Sequence, residues 1–403
     1  MLSTAARALH AADPLAALKC VALRDDPPAL ALRGVAMAQL GEFTQARKLL
    51  QRAERAFGPN EKVARARCVT ARAEIALACR ELGSVGRELE HAADTLAANG
   101  DEENALFARL VSIRRLVLLG QVEKAGQAHA QLALEGAPAR IVTVAELVAT
   151  DIAIRQLRTR EARAALGRAR RAALASRLPP LVSEVERAQR ELDAPAARLV
   201  AAGVERQLRL DEVEDLLGSS ELVVDACRRE VRVQKKSISF VTRPVLFALA
   251  AALAQYAPAE VPRGELILRA FAARRVNDSH RARLRVEIGR LRKALAELAE
   301  LPATPGGFAL VPRRGARSLL LLPPEPGESS ALIALLSGGE SWSTSALAAA
   351  LGQSQRSLQR ALAALAEAGK VQAIGSGRAR RWVAPPSTGF ATTLLLVARA
   401  ALS

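Results

Sequence analysis

From residue 1 to about 205, Ala and Leu recur three or four positions apart, and this spacing predicts amphipathic helices with almost no strand. A motif returns within this stretch. Leu40-Gly41-Glu42-Phe43 is followed by Ala46, Leu49-Leu50 and Ala53, and closes on Gly58-Pro59. Leu82-Gly83-Ser84-Val85 is followed by Leu89, Ala92-Ala93 and Leu96. Leu119-Gly120-Gln121-Val122 is followed by Ala125, Ala128 and Leu132. A looser copy runs from Leu157 through Ala162, Ala165-Leu166 and Ala169. Each Leu-Gly pair is expected to turn one helix into the next, and the small alanines to let paired helices approach closely.

The pattern then changes. Asp211-Glu212-Val213-Glu214-Asp215-Leu216-Leu217 is acidic and amphipathic and reads as a connector, 206–220. Beyond it the period becomes two, which predicts short strands at Leu222-Val223-Val224-Asp225, Val231-Arg232-Val233 and Ile238-Ser239-Phe240. Thr242 is the expected N-cap of a helix over 245–254, with Pro244 in its first turn. A second helix is expected over 263–271, and a third after a cap at Asn277, Asp278 or Ser279. In the third, Leu284, Ile288, Leu291 and Leu295 form an inward stripe, and Gly306-Gly307-Phe308 then marks a tight hairpin over 303–311.

Pro323-Pro324-Glu325-Pro326-Gly327 reads as part of a linker, 319–327. After it the order of elements repeats. Helices are expected over 331–336, over 345–351 with a cap at Ser343 or Thr344, and over 355–368 with a cap at Ser354. A hairpin follows, from Val371 through Gly375-Ser376-Gly377 to Val383. Residues 387–403 are expected to form a helical tail.

Charge sharpens the picture. The formal net charge is +17, which favours a polyanionic partner. Between Arg269 and Lys293 nine basic residues face only Asp278 and Glu287. On the third helix, Val286, Arg290 and Lys293 lie opposite the apolar stripe, with Arg283 beside them. Arg283 and Arg290 have the reach to fork onto guanine, and Val286 to touch a thymine methyl. Arg281, Arg285 and Arg292 complete this DNA-facing set, Arg285 and Arg292 on phosphates. His280 is expected to start the helix facing a phosphate. In the helix over 355–368, Leu358, Ala361, Leu362 and Leu365 turn inward. Gln355, Arg356, Gln359 and Arg360 form the opposite face, with Arg378, Arg380 and Arg381 on flanking phosphates, while Trp382 is expected in the core.

Three resemblances follow from these residues. Residues 222–311 resemble the OmpR/PhoB-type effector domain of bacterial response regulators. The matches are Val223-Val224-Asp225, Val231-Arg232-Val233, Thr242, Arg263-Gly264-Glu265-Leu266, the run from Leu284 to Leu295, and Gly307-Phe308-Ala309-Leu310. The family's Gly-x-Gly-Tyr element is Gly306-Gly307-Phe308 here, so a hydroxyl is missing. The resemblance implies a winged helix-turn-helix, with the third helix in the major groove and the hairpin bracing the adjacent backbone. Residues 347–362 are similar to the helix-turn-helix of many bacterial winged-helix regulators. The N-terminal half resembles the tetratricopeptide repeat (TPR) family, although Gly41, Gly83 and Gly120 are 42 and 37 residues apart, against a family period of about 34.

The expected architecture is mainly α. A TPR-like α-solenoid (1–205) is followed by two winged helix-turn-helix (α+β) domains at 221–318 and 328–386. The N-terminal half lacks the alternating strands of a phospho-acceptor receiver. Cys20, Cys68, Cys79 and Cys227 are scattered, which suggests a reducing cytosol. No leader h-region is visible at the start, and the apolar run at Leu394 falls short of the ~20 residues of a membrane span. His10, His91, His129 and His280 share no metal-ligand spacing, and no phosphate loop or nucleophile elbow occurs. No enzyme activity, metal or cofactor is therefore expected. The expected protein is a cytoplasmic, bacterial, one-component transcription regulator that binds specific double-stranded DNA. Its repeats would bind a protein or peptide, or mediate homodimerisation. The alternative is an interaction scaffold whose winged helices dock proteins.

Overall fold

The computed structural model describes residues 1–79, 81–82, 86–271, 275–325, 328–337, 341–375, 377 and 380–383. It is mainly helical with small sheets, and divides into two compact units, the first Met1–Leu192 and the second beginning at Asp193. The expected tail at 387–403 lies outside the described residues.

The first unit is built from α1 (Leu2–His10), α2 (Pro14–Val21), α3 (Pro27–Gln39), α4 (Phe43–Ala56), α5 (Lys62–Ala78) and α6 (Gly86–Ala98). It continues with α7 (Glu102–Leu118), α8 (Val122–Ala130), α9 (Ala139–Arg155), α10 (Thr159–Ser176) and α11 (Pro179–Asp193). From α1 to α10 each helix packs on the next, and α1, α3, α5, α7 and α9 also pack on one another in succession. The recurring Ala and Leu positions are the buried stripes of the intervening helices: Ala46, Leu49, Leu50 and Ala53 in α4, and Ala162, Ala165, Leu166 and Ala169 in α10. The turns are local. Leu40 and Leu119 end α3 and α7, and Gly41 (φ 85°) and Gly120 (φ 73°) take the left-handed backbone that glycine adopts without steric cost. Arg140 of α9 donates to Glu103 of α7 and contacts His10 Nδ1, which ties α1 to the later helices.

One buried carboxyl stands out in this unit. Glu74 of α5 has no exposed surface, and neither carboxylate oxygen has a hydrogen-bond partner among the described residues. Burial pushes its carboxyl up to about 8, opposed in part by the charge of Arg114.

The second unit opens with strands that periodicity did not predict. β1 (Ala197–Ala201) and β2 (Val204–Leu208) form a hairpin, followed by α12 (Leu210–Gly218), β3 (Leu222–Asp225), β4 (Glu230–Val233) and β5 (Lys236–Ser239). Next come α13 (Pro244–Tyr256), β6 (Val261–Pro262), α14 (Arg263–Phe271) and α15 (Asp278–Leu295). β7 (Ala299–Glu300), β8 (Gly307–Phe308), β9 (Val311–Pro312) and β10 (Ser318–Leu322) follow. The last part holds α16 (Glu328–Ser337), α17 (Thr344–Leu351), α18 (Gln355–Glu367), β11 (Gln372–Ile374) and β12 (Arg381–Val383). The large sheet has the order β2-β1-β10-β3-β4-β5, in which β10 runs antiparallel to β1 and parallel to β3.

Four expectations are corrected. The helical half does not extend to 205, nor is 206–220 a plain connector: β1, β2 and α12 lie there. β2 is exposed at all but its last residue, so it carries no alternation for periodicity to find. The linker does not begin at 319, because Ser318–Leu322 is a strand. β10 sits between β1 and β3 with its first four residues buried, and a strand covered on both faces reads as a continuous apolar run. The N-cap of α13 is Arg243 rather than Thr242, since Pro244 occupies the first helical position.

α13, α14 and α15 close over one core that includes Leu249, Leu253, Leu266, Leu284, Ile288 and Leu291. A smaller core gathers Leu332, Leu336, Leu347, Leu358, Leu362 and Trp382 from α16–α18 and β12, and Val241 of the preceding module packs against it. A Cβ on Gly352, just past α17, would lie 3.3 Å from Pro244 Cβ. The two helical modules therefore touch at the start of α13.

Candidate nucleic-acid interface

α15 begins where Asn277 Oδ1 accepts the His280 N–H at 2.8 Å. Its stripe is fully committed to the core: Leu284, Ile288, Leu291 and Leu295 are at most 2% exposed. That burial fixes the rotation of the helix. Arg281, Arg283, Arg285, Val286, Arg290, Arg292 and Lys293 are all exposed as a result. Val286 is 54% exposed, an apolar side chain turned to solvent between cations.

The cations differ in how they are held. Arg290 Nη1 lies 2.8 Å from Glu287 Oε1, and Arg281 Nη1 is 3.0 Å from Asp278 Oδ1. The Arg283 guanidinium sits 4.5 Å from the Phe271 ring centroid, a cation–π contact that steadies it. Among the described residues Arg285 and Lys293 make no ion pair or side-chain hydrogen bond. Arg292 is tied to the chain that follows the helix. Its Nε and Nη2 donate to Leu301 O at 3.2 and 2.6 Å, which braces the chain leaving α15 while the residue stays exposed. His280 sits in the first turn of α15, and its ring stacks on Phe271 with centroids 6.0 Å apart.

Gly289 lies on the exposed side of α15, with open space where a Cβ would go. Gly289→Ala is expected to raise stability by about 0.5–1 kcal/mol, the helix-interior cost of glycine. Urea unfolding checks this, and an unchanged or lowered midpoint would contradict it.

The hairpin after α15 is smaller than its residues suggest. Thr304 N–H donates to Gly307 O at 3.1 Å, and Ala303 bridges Phe308. β8 then pairs with β6, while β9 pairs with β7. Gly307 has a packing cause. At Gly307 a Cβ would stand 1.8 Å from the backbone Val261 O, whereas at Gly306 the nearest atom is the movable carboxylate tip of Glu260. Arg263 clasps the turn, donating to Thr304 O and Pro305 O at 3.0 Å each, with its guanidinium 5.3 Å from the Phe308 ring centroid.

α18 repeats the logic of α15. Ser354 Oγ accepts the Ser357 N–H at 3.1 Å. Leu358 and Leu362 are fully buried and Leu365 nearly so, and Gln355, Arg356, Gln359 and Arg360 are exposed. Arg380 lies 4.6 Å from the Trp382 ring centroid, and Arg381 Nη1 donates to Arg380 O at 3.1 Å. Trp382 is 4% exposed and donates from Nε1 to Thr344 Oγ1 at 2.9 Å. Arg378 lies outside the described residues.

A cleft of about 630 Å³ opens between the first turn of α13 and the last turns of α15, lined by Arg243, Pro244, Val245, Leu246, Glu287, Arg290, Lys293 and Ala294. Arg243 was absent from the expected set. Its one sequence signal is a basic residue directly before the proline that opens a helix. Among the described residues no group of three His, Cys, Asp or Glu side chains is placed to hold a metal, and no helix is long and apolar enough to cross a membrane. No family model, curated protein or solved structure matches the chain.

Proposed function

We propose that the chain is a sequence-specific double-stranded DNA-binding regulator without enzymatic activity. Its second unit would carry two winged helix-turn-helix modules, α13–α15 with the turn at 304–307, and α16–α18 with β11 and β12. Its first unit would act as a TPR-like array for a protein or peptide partner. The observation that carries this reading is the outer face of α15: Arg283, Arg285, Val286, Arg290 and Lys293 project from a helix whose rotation is fixed by four buried apolar residues. Arginines and a lysine on one outward face can pair with phosphates and reach base edges, and an exposed Val suits a thymine methyl. α18 offers a second such face, with Gln355 and Gln359 amides whose paired donor and acceptor match adenine N7 and N6. The packing of alternate helices in the first unit supports the array reading.

Selection of genomic fragments by the full chain at ~150 mM salt with competitor tests the proposal, because non-specific phosphate binding weakens under those conditions. A shared motif is expected. Arg290→Ala should then weaken binding to that motif by about 1–3 kcal/mol and relax specificity at one position. Uniform recovery of all fragments would favour protein docking by these modules instead.

A further inference from the structure

We propose that the cleft between α13 and α15 holds one backbone phosphate of the bound duplex, at the seam between the two helical modules. This deepens the DNA-binding reading and rests on it.

The rim of the cleft carries Arg243, Arg290 and Lys293. The one acid there, Glu287, has a side chain only 12% exposed and is engaged by Arg290 at 2.8 Å. One paired carboxylate against three cations leaves the opening positive. Among the described residues, Arg243 and Lys293 have no ion pair or side-chain hydrogen bond to give up. The floor is apolar, made by Pro244, Val245, Leu246 and Ala294. A cationic rim over an apolar floor suits a phosphodiester whose flanking deoxyriboses lie against carbon. The cleft, at about 630 Å³, has room for that group and its sugars.

The seam gives the site its place on the duplex. Pro244, on the cleft floor, is also the residue that Gly352 approaches, and Val241 packs into the core under α18. α18 starts at Gln355, directly after the Gly352-Gln353-Ser354 turn. The cleft is thus lined by the C-terminal half of one reading helix, and Pro244 in its wall packs near Gly352, just before the turn that opens the other. The same contacts join the modules at a second point besides the Pro-rich segment, so the spacing between the two elements they read should be fixed.

The test uses the full chain and the duplex motif obtained by selection. Each phosphate is replaced in turn by an uncharged methylphosphonate, for wild type and for Arg243→Gln. One position between the two elements is expected to weaken wild-type binding about 10-fold when neutralised, and R243Q much less, a coupling typical of a single charged contact. The slope of log affinity against log salt should fall by about one in R243Q. Inserting a base pair between the elements should weaken wild-type binding. Because the Arg243 side chain makes no ion pair or hydrogen bond among the described residues, R243Q should melt with wild type. Wild-type affinity and salt slope in R243Q, with no phosphate coupled to it, would overturn the proposal while leaving the DNA-binding reading intact. A thermal shift with inorganic phosphate that R243Q abolishes, with no methylphosphonate effect, would assign the cleft to a free anion and overturn it as well. Failure of the wild type to enrich any sequence would bring down the underlying reading.

Discussion

Gly307→Ala is expected to destabilise the second unit by about 1–3 kcal/mol or more, the range for inserting a methyl group where no space exists. The added Cβ would lie 1.8 Å from Val261 O and 2.6 Å from the carbonyl carbon, and both are backbone atoms of β6. A clashing side chain can change rotamer, whereas a paired strand can only move away. β8 would have to part from β6, and Phe308 and Leu310, 7% and 0% exposed, would leave the core with it. Gly315→Ala is the control: φ is +68° but nothing lies within 4 Å of its Cβ, so only the left-handed backbone cost of about 1–2 kcal/mol remains. Urea unfolding followed by circular dichroism reads both. A G307A curve that overlays the wild type would show that β6 and β8 do not pair as described.

Glu74→Gln should stabilise the first unit, and the gain should grow with pH. The folded state holds the Glu74 proton up to about 8 because burial outweighs the attraction of Arg114. The unfolded chain releases it near ~4.3. A carboxyl whose pKa is raised on folding contributes fully below the unfolded value, and stability is lost as pH rises from there to the folded value. The loss is about 1.4 kcal/mol for each pH unit between those limits. Gln keeps the neutral shape without a proton to lose. Wild type and E74Q should therefore melt together near pH 4 and diverge up to about pH 8. Parallel melting curves across that range would mean that Glu74 is ionised in the folded protein, paired with Arg114.

Both predictions turn on contacts that join distant segments, and such contacts divide the legible features from the rest. The stripe of α15 was readable because helical periodicity is a property of one stretch of backbone: Leu284, Ile288, Leu291 and Leu295 had to share a face once the helix formed. The same holds for α18, and for the caps at Asn277, Ser343 and Ser354, whose side chains accept from N–H groups three residues on. The alanines of the repeat became the buried stripes of α4, α6 and α10 for the same reason.

The amino-acid order by itself determined the helical character of the first unit, the turns at Gly41 and Gly120, and the outward face of the basic helix, because each depends on residues within a turn or two of one another. Only the tertiary structure decided that β10 enters the sheet between β1 and β3, that Arg292 serves Leu301 and His280 serves Phe271, that Gly307 is required by β6, and that Arg243 joins Arg290 and Lys293 around one cleft. Strand partners and the occupants of an arginine's five donors are chosen by what the fold brings within a few ångströms. Local periodicity carries no record of that choice.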